Sequence, residues 1–271
     1  MAGQVFDRYE KKYMLSPAQY EKLRTAVDGR FSPDSYGLHT ICSVYYDTED
    51  YTVTRLSADK PVYKEKLRLR SYTVPGGPLP GPESMVFLEL KKKFKGVVNK
   101  RRISLTLREA RAYLQEGIPP ENVSDAQIFR EIDWFVRRWQ PSKGVLVAYD
   151  RIALAGPEEA PRMTFDRNIR WRTERPDPGF GTDGTSLLPD WDGFLMEVKI
   201  PGAIPVWLAD IFDSLQIYPA SFSKVGNIYA CYLNPFLTED RRAPLCLKAS
   251  LPFLNPALLP RQASLSAPQL R

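Results

Sequence analysis

Between Tyr63 and Tyr72 the sequence reads "YKEKLRLRSY", and its alternate residues belong to two different chemistries. Successive side chains of a β-strand point to opposite faces. Lys64, Lys66, Arg68 and Arg70 therefore form one row, and Glu65, Leu67 and Leu69 form the other. The same alternation recurs. In "FLELKKKFK" Glu89, Lys91, Lys93 and Lys95 oppose Leu88, Leu90 and Phe94, and in "NKRRISL" Lys100, Arg102 and Ser104 oppose Ile103 and Leu105. Tyr149 and Arg151 oppose Ile152, Glu197 and Lys199 oppose Met196, Val198 and Ile200, and near the start Arg8, Glu10 and Lys12 share one face.

One such strand reads as a sheet with a solvated side. The repetition argues for more, because a solvated face mixes signs across strands to relieve repulsion, whereas these faces carry mostly Lys and Arg with Glu at a few points. If the sheet closes into a barrel, the apolar faces pack on helices and the charged faces line a basic tunnel suited to a linear, highly charged anion. Guanidinium forks and ammonium groups clamp phosphate oxygens and balance the charge of phosphoryl transfer. The carboxylates Glu10, Glu89 and Glu197 fit such a tunnel through a divalent metal that takes hard oxygen ligands and bridges phosphates.

The strand-like runs are 40–47, 63–72, 85–94, 98–105, 145–154, 162–171 and 194–200. Four helices are punctuated between them. Ser16-Pro17 opens one that closes near Gly29, and Thr106 with Glu109 makes a capping box for one ending at Gly117. Ser124 begins a third, which ends at Gln140-Pro141 with Phe135, Trp134 and Trp139 read as core, and Pro205 begins the last. "YYDTEDY" reads as a strand ending in a turn. The order is not a regular strand-helix alternation, so the expected fold is α+β, an antiparallel β-barrel with flanking helices. The expected organisation is a catalytic tunnel domain over 1–235 and a poorly ordered, Pro-rich tail over 236–271.

The net charge of +6 is modest, and 236–271 carries half of it, so the body is no general polyanion magnet. No apolar run approaches the ~18 residues of a membrane span, and the N-terminus lacks a signal-peptide core. A cytoplasmic location follows as the expectation. Cys42, Cys231 and Cys246 are scattered and suggest packing residues rather than a disulfide framework or a zinc site. One histidine, His39, excludes imidazole-cluster mechanisms, and no P-loop or kinase signature is present.

The ordered series "EKKYML", "YYDTED", "KLRLRSY", "VFLELKKK", "NKRRISL", "YDRIAL", "FLMEVKI" and "SFSKVGN" resembles the VTC domain, the polyphosphate polymerase domain of the triphosphate tunnel metalloenzyme, or CYTH-like, superfamily. The similarity spans about Arg8 to Leu233. It implies catalytic roles for Lys12, Arg68, Arg70, Lys91, Lys100, Arg151, Lys199 and Lys224, substrate contacts from Lys66, Arg102, Arg162, Glu10 and Glu89, and Glu197 as metal ligand for Mn²⁺ or Mg²⁺. The implied partners are ATP and inorganic polyphosphate, with no nucleic acid and any membrane coupling left to another protein. Where that family carries a further lysine shortly before the terminal one, this sequence has Ala220.

Two other functions compete with ATP-dependent chain growth. A tunnel-type triphosphatase would use water as acceptor, though such enzymes open with Glu-x-Glu-x-Lys, and "YEKKY" offers only Glu10 before Lys12. A non-catalytic polyanion-binding module would need no metal, and the glutamate of "MEVK" argues against it.

Overall fold

The computed structural model describes residues 8–234 apart from 60, 96 and 157–160. The tail 236–271, the side chain of Arg8, Cys246 and most of the loop after Ala155 lie outside the described residues. The strands are β1 (Arg8–Leu15), β2 (Ser32–Pro33), β3 (His39–Asp47), β4 (Tyr63–Thr73), β5 (Met85–Phe94), β6 (Val97–Thr106), β7 (Lys143–Ala155), β8 (Arg162–Arg172), β9 (Thr185–Ser186), β10 (Phe194–Pro201) and β11 (Pro219–Ala220). The helices are α1 (Pro17–Ala26), α2 (Thr52–Ala58), α3 (Leu107–Glu116), α4 (Ala126–Trp139), α5 (Val206–Ser214) and α6 (Lys224–Ile228), the last running into a π-helical turn over Tyr229–Leu233.

All the strands join one antiparallel sheet in the order β11-β1-β10-β8-β7-β3-β4-β5-β6, with β2 beside β7 and β9 beside β8. The α+β class is as expected. The hydrogen-bonded ladder does not close among the described residues, since its two ends, β11 and β6, are not paired. The sheet nevertheless curls. Laid flat, β1 and β5 stand six strand spacings apart, about 29 Å at ~4.8 Å each, yet the charges of Glu10 and Lys12 on β1 bear on Lys91 of β5.

Alternation decides which face meets the helices. Leu67, Leu69, Leu88, Leu90, Ile103 and Leu105 pack under α3 and α4 with Ile132 and Phe135. Tyr13, Leu15, Met163, Phe165, Met196 and Val198 pack under α1 and α5 with Leu23 and Leu208. The opposite residues of the same strands are thereby turned to the helix-poor inner face. There a third apolar cluster, including Ile41, Val147, Ile169, Leu195 and Phe222, seats Val225 and Ile228 of α6.

The cap chemistry explains the helix starts. Ser16 and Gln19 exchange hydrogen bonds before α1, and Thr106 and Glu109 do so before α3. α4 begins one residue later than its serine suggests, because the Asp125 carboxylate accepts from the amides of Gln127 and Ile128. α2 replaces the expected turn. Its first amides are capped from a distance by Asp47, which accepts from Val53 at 2.9 Å and Thr54 at 3.0 Å. Of Trp134, Phe135 and Trp139 in α4, only Phe135 is fully buried; Trp134 is 51% exposed, a correction to the core assignment. Trp139 donates its indole N–H to the buried Glu65 at 2.8 Å. Cys42 is free and buried, as a packing cysteine should be, whereas Cys231 is disulfide-bonded.

Candidate functional site

Two ion clusters stand on the inner face, each assembled by strand register. In the first, Arg68 of β4 lies opposite Glu89 of β5, which lies opposite Arg102 of β6. Glu89 is wholly buried and accepts from Arg68 Nε at 2.7 Å, Arg102 Nε at 2.7 Å and Lys100 Nζ at 2.9 Å. Burial alone would push this carboxyl up, but Arg68, Arg70 and Lys100 outweigh it and hold it well below the carboxylate range.

In the second cluster, Lys12 lies opposite Glu197 across β1 and β10, and Arg151 opposite Asp166 across β7 and β8. The buried Asp166 accepts a forked pair from Arg151, at 2.5 and 2.8 Å, and a third bond from Lys224 Nζ at 2.5 Å. Glu197 has Lys12 Nζ at 3.2 Å, Arg151 Nη2 at 3.3 Å and Lys224 Nζ at 3.5 Å. Burial opposes its charge, yet Lys224, Lys12 and Arg151 keep it ionised far below its ordinary range. Lys224 reaches this nest because α6 starts at it, capped by Ser223, and is anchored by Val225 and Ile228.

Beside the clusters, on the same strands, stand cations that form no ion pair among the described residues. Arg70 is buried and donates to Ser43 Oγ at 3.1 Å and to the Tyr149 hydroxyl at 3.3 Å, both neutral partners. Lys66, Lys91 and Lys199 form no ion pair among the described residues. The titration shifts divide along the same line. For Arg68, Arg151 and Lys224 burial is outweighed by facing anionic groups, and their values rise. For Lys91 and Lys199 burial wins and the value falls, and Lys66 is lowered to about 8. At these part-buried lysines the nearby carboxylates, Glu10 for Lys91 and Glu10 with Glu197 for Lys199, do not offset the loss of hydration. The excess of positive charge on this face therefore favours a bound anion beside Lys66, Lys91, Arg70 and Lys199.

Tyr45 faces the same space. Its hydroxyl accepts from Arg68 Nη1 at 3.1 Å. Burial would raise it, but Arg68, Arg70 and Lys224 bring it down to about 7.

These positions account for most of the residues singled out in the sequence. Lys12, Arg151, Lys224 and Glu197 come together in one nest; Arg68, Lys100, Arg102 and Glu89 come together in the other; Lys66, Arg70 and Lys91 lie beside the latter on β4 and β5, and Lys199 beside the former on β10. Glu10 stands 3.9 Å from Lys12 and opposite Lys199. Arg162 is not drawn in. It is opposite Lys199 in register, but its guanidinium pairs with Asp34 at 3.0 Å and is 53% exposed. Asp166 and Tyr45 were not singled out in the sequence, and Tyr149 was placed on the face of Arg151 without a role. Asp166 shares the alternate face of Arg162 and Thr164, so the periodicity did mark it. Ala220 lies opposite Lys12, on the edge strand β11.

Among the described residues there is no group of three or more His, Cys, Asp or Glu that could hold a metal. Glu197 offers one carboxylate; Glu10 stands beside Lys12, and Asp166 is engaged by Arg151 and Lys224. Such a sparse donor set suits a small hard cation that draws its remaining ligands from water and a bound anion, and not an all-protein cage.

No curated protein matches the chain. Among solved structures, a provisional adenylate cyclase from Bacillus halodurans is similar at 14% identity and TM-score 0.46, covering 79% of this chain and 92% of that one. A provisional adenylate cyclase from Vibrio parahaemolyticus is similar at 14% identity and TM-score 0.44, covering 82% and 98%. The PH1819 protein of Pyrococcus horikoshii OT3 aligns at 13% identity and TM-score 0.35, covering 77% and 84%. The VTC domain model matches residues 7–233, which takes in both ion clusters and the cations between them, and the chain belongs to the VTC domain family.

Proposed function

We propose that this protein is a metal-dependent polyphosphate polymerase that transfers the γ-phosphoryl group of ATP to a growing inorganic polyphosphate chain, inside a tunnel formed by the curled sheet. The observation that carries the reading is a set of cations that form no ion pair among the described residues, the buried Arg70 and the half-buried Lys66, Lys91 and Lys199, set beside two clusters whose cations are already matched. Phosphoryl transfer asks the protein mainly for positioning and charge balance, and that is what these side chains supply. Arg70, held by Ser43 and Tyr149, and the lysines beside it would grip the phosphates of donor and acceptor. Arg151 and Lys224, fixed by Asp166, would present their remaining N–H groups to the group in transit. A divalent ion, Mn²⁺ or Mg²⁺, held by Glu197 and phosphate oxygens would neutralise charge on the transferring phosphates. No step asks for a general base. The reaction site is expected to be cytoplasmic, with ATP and polyphosphate as its partners.

Purified protein given ATP and Mn²⁺ should yield a ladder of polyphosphate on a gel, and Glu197→Gln should abolish it. The second reading, a triphosphatase, draws support from Ala220, which puts a methyl group beside Lys12 where the family has a further cation. Free phosphate released from ATP or tripolyphosphate without chain growth would put that reading first.

A further inference from the structure

The cationic row of β5 runs beyond the proposed site. Lys66, Lys91 and Lys100 face one another across β4, β5 and β6, and one step further along the strands Lys93 faces Lys64. Alternate residues advance by about 7 Å along a strand, a step longer than one phosphoryl unit. Like charges directly opposite one another destabilise a sheet, and the structure does little to relieve these. Lys100 has Glu89, and Lys64 donates to the Ser57 carbonyl at 3.4 Å. Lys91 and Lys93 form no ion pair among the described residues. Their neighbour Lys92 points the other way and is held by Glu131 on α4 at 2.8 Å. The row ends at Lys93, because Lys95 takes a left-handed φ of 46° and lays its ammonium over the Phe94 ring at 5.5 Å.

We infer that Lys93 is a specificity-determining residue for extended chains: a linear polyanion longer than a triphosphate leaves the central site past Lys91 and runs along β5 to Lys93, so the phosphoryl chain protrudes at the Phe94 end of that strand. This inference rests on the polyphosphate reading for the identity of the chain, but the geometry behind it, Lys66, Lys91 and Lys93 on one face of β4 and β5, is separate from any catalytic step. A triphosphate held between Arg70, Lys66, Lys91 and Lys199 would not reach Lys93. The lysine row would therefore discriminate a growing or finished chain from a short donor, and would give the chain a direction.

The test is calorimetric titration of tripolyphosphate and of long-chain polyphosphate into the full chain, at fixed salt and without ATP or metal. Lys93→Gln should weaken long-chain binding about fivefold, the scale of one charge-assisted contact, and leave tripolyphosphate affinity within twofold. Lys92→Gln removes the same charge from the other face and should change neither. The inference is overturned if Lys93→Gln leaves long-chain affinity unchanged, if it weakens the two ligands equally, or if Lys92→Gln has the same effect. Retained length-dependent binding with no product ladder from ATP would overturn the polymerase reading and leave this one standing.

Discussion

At the scale of single residues, the site is a contrast between matched and unmatched cations. Arg68, Arg102 and Lys100 surround the fully buried Glu89, so this group is held together with no ligand. The row that opened the sequence is thus partly compensated from within, and Arg68 is the member that the protein itself neutralises. Lys66 is the informative exception. Burial lowers it to about 8, so its charge in the free protein is present below that pH and lost above it. A bound polyanion favours the charged form and raises the value again, so affinity must fall as pH rises through about 8. Tripolyphosphate affinity, measured by calorimetry from pH 6.5 to 9.5, should drop about tenfold in the wild type, one pH unit of linkage. Lys66→Met should start weaker at pH 6.5 and lose less over the same range; equal losses would assign the dependence to other groups.

At the scale of elements, each strand does two jobs at a spacing of two residues, and each helix covers one apolar face. The consequence for α4 is sharp. Phe135 is fully buried among β4, β5 and β6 side chains, and Phe135→Ala should cost about 3–5 kcal/mol. Trp134, 51% exposed one residue earlier, should tolerate alanine within about 0.5 kcal/mol. Urea denaturation of the two variants checks both values. Helical spacing marked α4 and its partners, and capping residues marked α1 and α3, because these signals are local. α2 was not legible, since its cap comes from Asp47 and the residue just before it, Tyr51, has a left-handed φ of 57°. α6 was not legible either: five residues joined to a π-helical turn carry no periodic signal, and its position is set by long-range packing on Ile169, Leu195 and Phe222.

At the scale of the whole molecule, the alternating pattern predicts the sorting of charge from apolar surface but not the curl that brings β1 toward β5. Glu10 and Lys12 at one end of the ladder act on Lys91 near the other. No local feature of "RYEKKYML" or "ELKKKF" records that meeting, because the strand order β1-β10-β8-β7-β3-β4-β5 exists only after folding. Asp166 shows the same limit on a smaller scale: its bond to Lys224 spans 58 positions. If one anion bridges the curl, its effect should be felt at both ends of the sheet. At a hundredfold excess over Kd, a ligand specific to the folded state adds about 2.7 kcal/mol. Hydrogen exchange with saturating tripolyphosphate should slow amides in β1 and in β4–β5 together; protection confined to one side would mean that the anion sits on a single cluster. The strict alternation also bears on how such a chain can diverge. Stability and ligand preference are written on odd and even positions of the same strands, so point substitutions can retune one without disturbing the other. A one-residue insertion within a strand would exchange the two sets, bringing lysines under the helices and leucines into the site. Its descendants can acquire new anions by substitution, while their strand lengths stay fixed.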